Sequence, residues 1–194
     1  MNRSLTTTVG FAFALAALPS LLTAQGGEWT TLFDGSSLDG WRALGTANWE
    51  LGEGAVSATS GNGFLVSEES YADFELTLEF WVDTPANSGI FIRCSDPQSV
   101  NDRNSYEVNI YDTRADQTYR TGGIVHLAAP SAVINSGGQW NTYEITARGS
   151  RLIVVLNGTQ TVDTTDDQFT SGPIALQYGA GTVRFRNVRI RSLD

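Results

Sequence analysis

The stretch FELTLEFWV, Phe74–Val82, decides the fold. Phe74, Leu76, Leu78, Phe80 and Val82 fall on one side of an extended chain, while Glu75, Thr77, Glu79 and Trp81 fall on the other. An apolar residue at every second position is the period of a strand that buries one face and wets the other. Residues 88–94, 105–111, 123–126, 142–147, 152–156, 173–177 and 183–190 read as further short strands. Between IVVL and TQTV stands Asn157-Gly158, a pair favoured where both turn residues need positive φ, so a tight hairpin is expected there. Arg148-Gly149-Ser150 and Gly179-Ala180-Gly181 mark two more turns. In the last strand the apolar parity changes between Val183/Phe185 and Val188/Ile190, which predicts a bulge near Asn187. No stretch after Ala24 has a helical period. About ten short strands in one unit predict an all-β protein, a single antiparallel β-sandwich of jelly-roll type.

Composition removes several chemistries. The chain has 194 residues, 21 acidic against 12 basic, with a formal charge of −9, and every basic residue is Arg. Without Lys there is neither a Schiff-base amine nor a P-loop lysine, and with one His and one Cys there is no multi-His or multi-Cys zinc site. So acidic a surface repels phosphate backbones and anionic headgroups, and neither nucleic acid nor a membrane surface is expected as a partner. Arg3, the apolar run VGFAFALAAL from Val9, and Leu22-Thr23-Ala24 have the form of a secretory signal peptide over residues 1–24. The apolar run is shorter than the roughly 18 residues a membrane anchor needs. Residues 25–194 are then one exported domain. Cys94 shares strand parity with Ile90 and Ile92 and reads as a small buried hydrophobe, since a lone cysteine closes no internal disulfide.

Three segments place polar groups where a core would not take them. In YEVNIYD from Tyr106, Glu107, Asn109 and Tyr111 oppose Tyr106, Val108 and Ile110. In NSGIFIR from Asn87, Phe91 and Arg93 oppose Ile90 and Ile92, and near the C-terminus Gln177 opposes Leu176 and Tyr178. Planar polar groups beside aromatic surfaces suit a sugar, whose hydroxyls take bidentate partners and whose ring faces stack. The same pattern also describes a solvated outer face carrying an Arg–Glu pair. Asp112 ends its strand, where it either starts a turn or serves chemistry. His126, the one imidazole, is open to a structural or a chemical role. Glu107 and Asp112 are five apart on opposite parities, which separates them unless Asp112 has already left the sheet, so the sequence lends little support to the opposed carboxylate pair of an ordinary glycosidase.

The order of motifs resembles the 3-keto-disaccharide hydrolase domain family. The matching strings are LFDGSSLDGW from Leu32, GNGFLVSEESYADFELTLEF from Gly61, NSGIFIR from Asn87 and YEVNIYD from Tyr106. They continue with TGGIVH from Thr121, GQWNTYEI from Gly138, LNG from Leu156, GPIALQY from Gly172 and VRFRNVRI from Val183. Many members read GAIY where this chain has Gly122-Gly123-Ile124-Val125, so His126 follows the place of a missing tyrosine, and Asn109 stands where YEVQ is common.

The resemblance implies a concanavalin-A-like sandwich that hydrolyses glycosides already oxidised to a ketone at C3. A C3 ketone acidifies the C2 proton, so the C1–O bond can break by elimination and water can add afterwards. That route asks for one base, one donor at the enolate oxygen and one acid for the leaving group. On this reading Glu107 is the base, Arg93 the enolate stabiliser, and His126 or Asp112 the acid. Asn87, Asn109, Trp140 and Gln177 would hold the sugar. No cofactor is required, although Glu107, Asp112 and His126 could hold a divalent metal. An oxidoreductase must supply the keto sugar. The rival reading is a non-catalytic carbohydrate-binding module on the same fold.

Overall fold

The computed structural model describes Met1 and residues 27–193; the expected leader, Met1 aside, lies outside the described residues. Among these residues the chain forms thirteen strands and one short 3-10 turn, Gln117–Tyr119. In chain order the strands are β1 Thr30–Phe33, β2 Trp41–Gly45, β3 Glu50–Gly52, β4 Ala55–Ala58, β5 Gly63–Tyr71 and β6 Phe74–Val82. There follow β7 Ser88–Ile92, β8 Tyr106–Ile110, β9 Trp140–Arg148, β10 Arg151–Leu156, β11 Thr159–Thr165, β12 Gly172–Tyr178 and β13 Val183–Ser192. No helix among the described residues is long and apolar enough to cross a membrane.

The strands make two antiparallel sheets. One runs β11-β10-β9-β6-β13-β4-β3, with β1 also paired to β13; the other runs β2-β5-β12-β7-β8. The alternating side chains of β6, from Phe74 to Val82, are buried in the space between them. Leu65, Ile90, Ile92, Val108, Ile110, Ile174 and Leu176 meet them from the five-stranded sheet, in one continuous core. Each such side chain, fully buried, contributes about 1.5–3 kcal/mol over its exposed state. That apolar layer is what makes strand parity binding: a one-residue slip would turn a whole strand inside out.

The turn chemistry follows the sequence. Asn157 and Gly158 both take positive φ, 51° and 77°, and close the β10–β11 hairpin. The β13 register shifts between Arg186 and Arg189, with Asn187 at φ 53°, so the bulge lies where the parity changes. The strands expected at 88–94 and 123–126 depart most from the reading. β7 stops at Ile92, because Arg93 takes φ 54° and leaves the sheet. Residues 123–126 form no strand of their own; Ile124 makes isolated bridges to Val108 and Ala128, which lay the segment along the free edge of β8.

The left-handed step at Arg93 also inverts parity beyond it. Cys94 packs with Val66, Phe91, Val100 and Ala175 in a second apolar cluster on the outer face of the five-stranded sheet, rather than with Ile90 and Ile92. It is buried all the same, and burial pushes its thiol up to about 11. The outer face of this sheet thus carries a small apolar floor, and the polar side chains of the candidate site stand beside it.

Candidate functional site

On the outer face of the five-stranded sheet Ala175, Phe91 and Glu107 align in one row across β12, β7 and β8, and Gly89 pairs with Asn109 in the next. Glycine at 89 leaves room for the carboxyl of the adjacent row. A Cβ there would meet Glu107 Cγ and Oε1 at 3.1 Å and the Phe91 ring at 3.3 Å. The gap opens into a hollow of about 350 Å3. Phe64 and Phe91, edge to face at 5.1 Å, give it an aromatic wall. Asn87 and Gln177 stand at its polar side. Asn87 is fixed through its backbone: its carbonyl accepts from Gly179 and Ala180 at 2.9 and 3.1 Å. The Gln177 Oε1 atom is buried without a hydrogen-bond partner among the described residues, an acceptor open to a donor.

Glu107 is 7% exposed. Burial first, and then the nearby Asp102 carboxylate, push its carboxyl up to about 7, with Arg114 pulling the other way. A carboxyl poised near neutrality in a cleft is the condition of a general base. Arg114 lines the same hollow, and its guanidinium has no hydrogen-bond or ion-pair partner among the described residues. Its loop is built to hold it. The Gln117 side-chain amide donates to the Arg114 carbonyl. Asp112 accepts at Oδ1 from the hydroxyls of Thr121 (2.6 Å) and Ser136 (3.0 Å), and at Oδ2 from the backbone N–H of Ser136 (2.7 Å) and Gly137 (3.0 Å).

His126 stands beside the start of β8, opposite the end from which the Asp112 loop leaves, its neighbour Val125 donating N–H to the Glu107 carbonyl at 3.0 Å. Its Nε2 lies 2.8 Å from Asp102 Oδ2, and Asp102 reaches the Glu107 hollow. Glu107 and His126 are thus brought to either side of one carboxylate.

Three expected residues stand elsewhere, and a fourth is sealed in. Arg93 is 1% exposed and faces the turns at one end of the sandwich. It donates to the carbonyls of Ala72 (2.8 Å), Gly149 (2.8 Å) and Phe169 (3.3 Å) and pairs with Asp73 at 2.9 Å. The positive φ that ends β7 turns it away from Glu107, and four of its five N–H donors are already engaged. Asp112 fulfils the turn role, with both oxygens engaged in its loop. Trp140 lies on β9 of the other sheet, opposite Trp81, under the guanidinium of Arg186 at 3.9 Å. Asn109 has the expected face but is fully buried, its amide donating to the Tyr119 carbonyl. With Asp112 so engaged, Glu107, Asp112 and His126 form no common ligand set, and no three His, Cys, Asp or Glu side chains among the described residues cluster to hold a metal ion. Sequence reasoning missed Asp102 and Arg114, both on irregular polar segments.

Residues 28–191 match the family described as the 3-keto-alpha-glucoside-1,2-lyase-like domain. No curated protein matches the chain. Among solved structures, a candidate glycosyl hydrolase from Parabacteroides distasonis ATCC 8503 is 18% identical with a TM-score of 0.78, covering 92% of this chain and 99% of that one. A second from the same organism is 26% identical with a TM-score of 0.72, covering 86% and 100%. The carbohydrate-binding module CBM66 from Bacillus subtilis is similar in fold, at 19% identity and a TM-score of 0.62, covering 79% and 96%.

Proposed function

Since the chain belongs to the 3-keto-alpha-glucoside-1,2-lyase-like family, we propose that it cleaves 3-keto-glycosides by taking the proton from C2. The observation that carries this reading is the Glu107 carboxyl, buried at the floor of the hollow and held near about 7. As carboxylate it accepts the C2 proton, and the C–H electron pair forms the C2=C3 bond while the ketone oxygen becomes an enolate. The enolate then re-forms the ketone, its pair making C1=C2 as the C1–O bond breaks and the leaving group departs. Water adds at C1, Glu107 returns the proton to C2, and the sum is hydrolysis. Arg114, not Arg93, is the cation that faces the enolate oxygen. Asn87 and Gln177 hold sugar hydroxyls, and Phe64 and Phe91 take an apolar ring face. The enzyme works after export, on sugars that an oxidoreductase has oxidised at C3.

The test is Glu107→Gln assayed on a 3-keto-glucoside, following both sugar release and exchange of the C2 hydrogen with deuterated water. A loss of at least about 100-fold in each is expected. In the unaltered protein kcat/KM should rise with pH through about 7, because the base works as its carboxylate. Near-normal exchange in the variant removes the reading. The aromatic pair Phe64–Phe91 beside Gln177 favours one other reading, a carbohydrate-binding module, which predicts saturable sugar binding with no turnover of any keto sugar.

A further inference from the structure

Asp102 borders a second depression as well, of about 130 Å3, on the side away from Glu107. Val125, Leu127 and Phe169 give it apolar walls. Its polar wall is preformed: the Tyr106 hydroxyl donates to Asp166 Oδ1 at 2.5 Å and accepts from the Phe169 N–H at 3.1 Å. His126 completes the lining, its side chain 35% exposed. Its backbone takes φ 64°, a conformation few non-glycine residues adopt and one that is retained where surrounding structure enforces it. Here the enforcement comes from both neighbours, Val125 bonded to Glu107 and Leu127 N–H donating to the Ile124 carbonyl at 3.0 Å. With Nε2 engaged by Asp102, Nδ1 is the ring atom without a protein partner among the described residues.

We propose that this second depression receives the leaving group of the glycoside, a single sugar or aryl ring, and that His126 Nδ1 gives that group its proton. The inference rests on Glu107 acting at C2. C1 adjoins C2, so a ring seated over Glu107 directs its C1–O bond out of the first hollow, and Asp102 is the wall that the two hollows share. A space this far below the roughly 300–1,000 Å3 of a drug-sized site takes one ring, not an extended chain. As the C1–O bond breaks, its electron pair leaves on the oxygen, which takes the Nδ1 proton of the imidazolium. The ring stays neutral with Nε2–H donated to Asp102. The water that adds to C1 as hydroxide returns a proton to Nδ1. Asp102 therefore acts as a positioning residue, holding one tautomer as carboxylates do for catalytic histidines.

The experiment compares 3-keto-glucosides that share the oxidised sugar and differ in what leaves: 4-nitrophenol, methanol or a second glucose. The variant is His126→Asn, because Asn tolerates the left-handed backbone. It should lose at least about 100-fold in kcat with the glucose and methanol leaving groups, and at least about tenfold less with 4-nitrophenolate, which departs without a proton. Phe169→Ala should raise KM for the 4-nitrophenyl and glucosyl substrates and leave that of the methyl glycoside as it was. A loss independent of the leaving group, or KM unmoved in Phe169→Ala, overturns the proposal. Exchange at C2 should persist in His126→Asn. Should it persist in Glu107→Gln as well, the base assignment has failed; lost exchange there with a flat leaving-group response sinks this inference alone.

Discussion

The two outer faces of the sandwich are built from the same alphabet and reach opposite electrostatic ends. On the eight-stranded sheet, Arg184, Arg186, Arg189 and Arg191 line β13, and almost every charge is answered. Arg186 donates to Glu79 at 2.8 and 2.6 Å, Arg184 pairs with Glu53 at 2.7 Å, and Arg191 pairs with Glu75. Trp140 lies under Arg184 and Arg186, and Trp29 under Arg189 and Arg191. On the five-stranded sheet, among the described residues, buried Glu107 makes no ion pair and feels Arg114 only at a distance, Gln177 has an orphan oxygen, and the Arg114 guanidinium makes no hydrogen bond or ion pair. A face whose charges are largely paired asks less of a ligand, although around Trp29, Glu144 and Arg189 it too holds a hollow, of about 410 Å3. An unsatisfied face, held in place by its core, is prepared for groups that arrive from outside.

The sharpest way to break this contrast is to remove one guanidinium from each face. Arg114→Gln should cost about 100-fold in kcat on a 3-keto-glucoside, the scale of one lost oxyanion donor, while Arg186→Gln should change turnover by less than about twofold. A comparable loss from both would erase the distinction. Next in size is a stability effect of opposite sign on the two faces. Glu107 has its folded value raised above the ordinary 4.5, so ionising it disfavours the folded state as pH rises from about 4.5 through about 7. Glu107→Gln should therefore be more stable than the parent at pH 8, by up to about 3 kcal/mol, with the difference gone below pH 4 in denaturant titrations. Smallest is the matching change across the molecule. Glu79→Gln leaves Arg186 unanswered on a partly exposed surface and should cost no more than about 1 kcal/mol, shrinking with added salt.

The fold was legible because its signal is periodic and repeated: β6 alone states the burial of a sheet, and Asn157-Gly158 and the parity change at Asn187 give a turn and a bulge. The site was legible only in its strand residues. Parity puts Glu107 and Gln177 on one face, and the structure agrees. Parity fails at Arg93 because one left-handed residue ends the strand and reverses every side after it. Trp140 shows a second gap, since alternation separates inside from outside without saying which of two sheets a strand joins. Asp102 and Arg114 sit on loops whose shape comes from side-chain bonds such as those of Asp112, and no period marks them.

The contacts of Arg93 carry a consequence for how this chain assembles. They join carbonyls from segments as many as 76 positions apart, and closing loops of that length costs entropy before the contact repays it. A clasp completed after the transition state leaves the speed of folding alone and acts on the rate of escape from the native state. On that footing the arginine that ends β7 is expected to be a latch, with Arg93→Met speeding unfolding far more than it slows refolding in denaturant-jump kinetics.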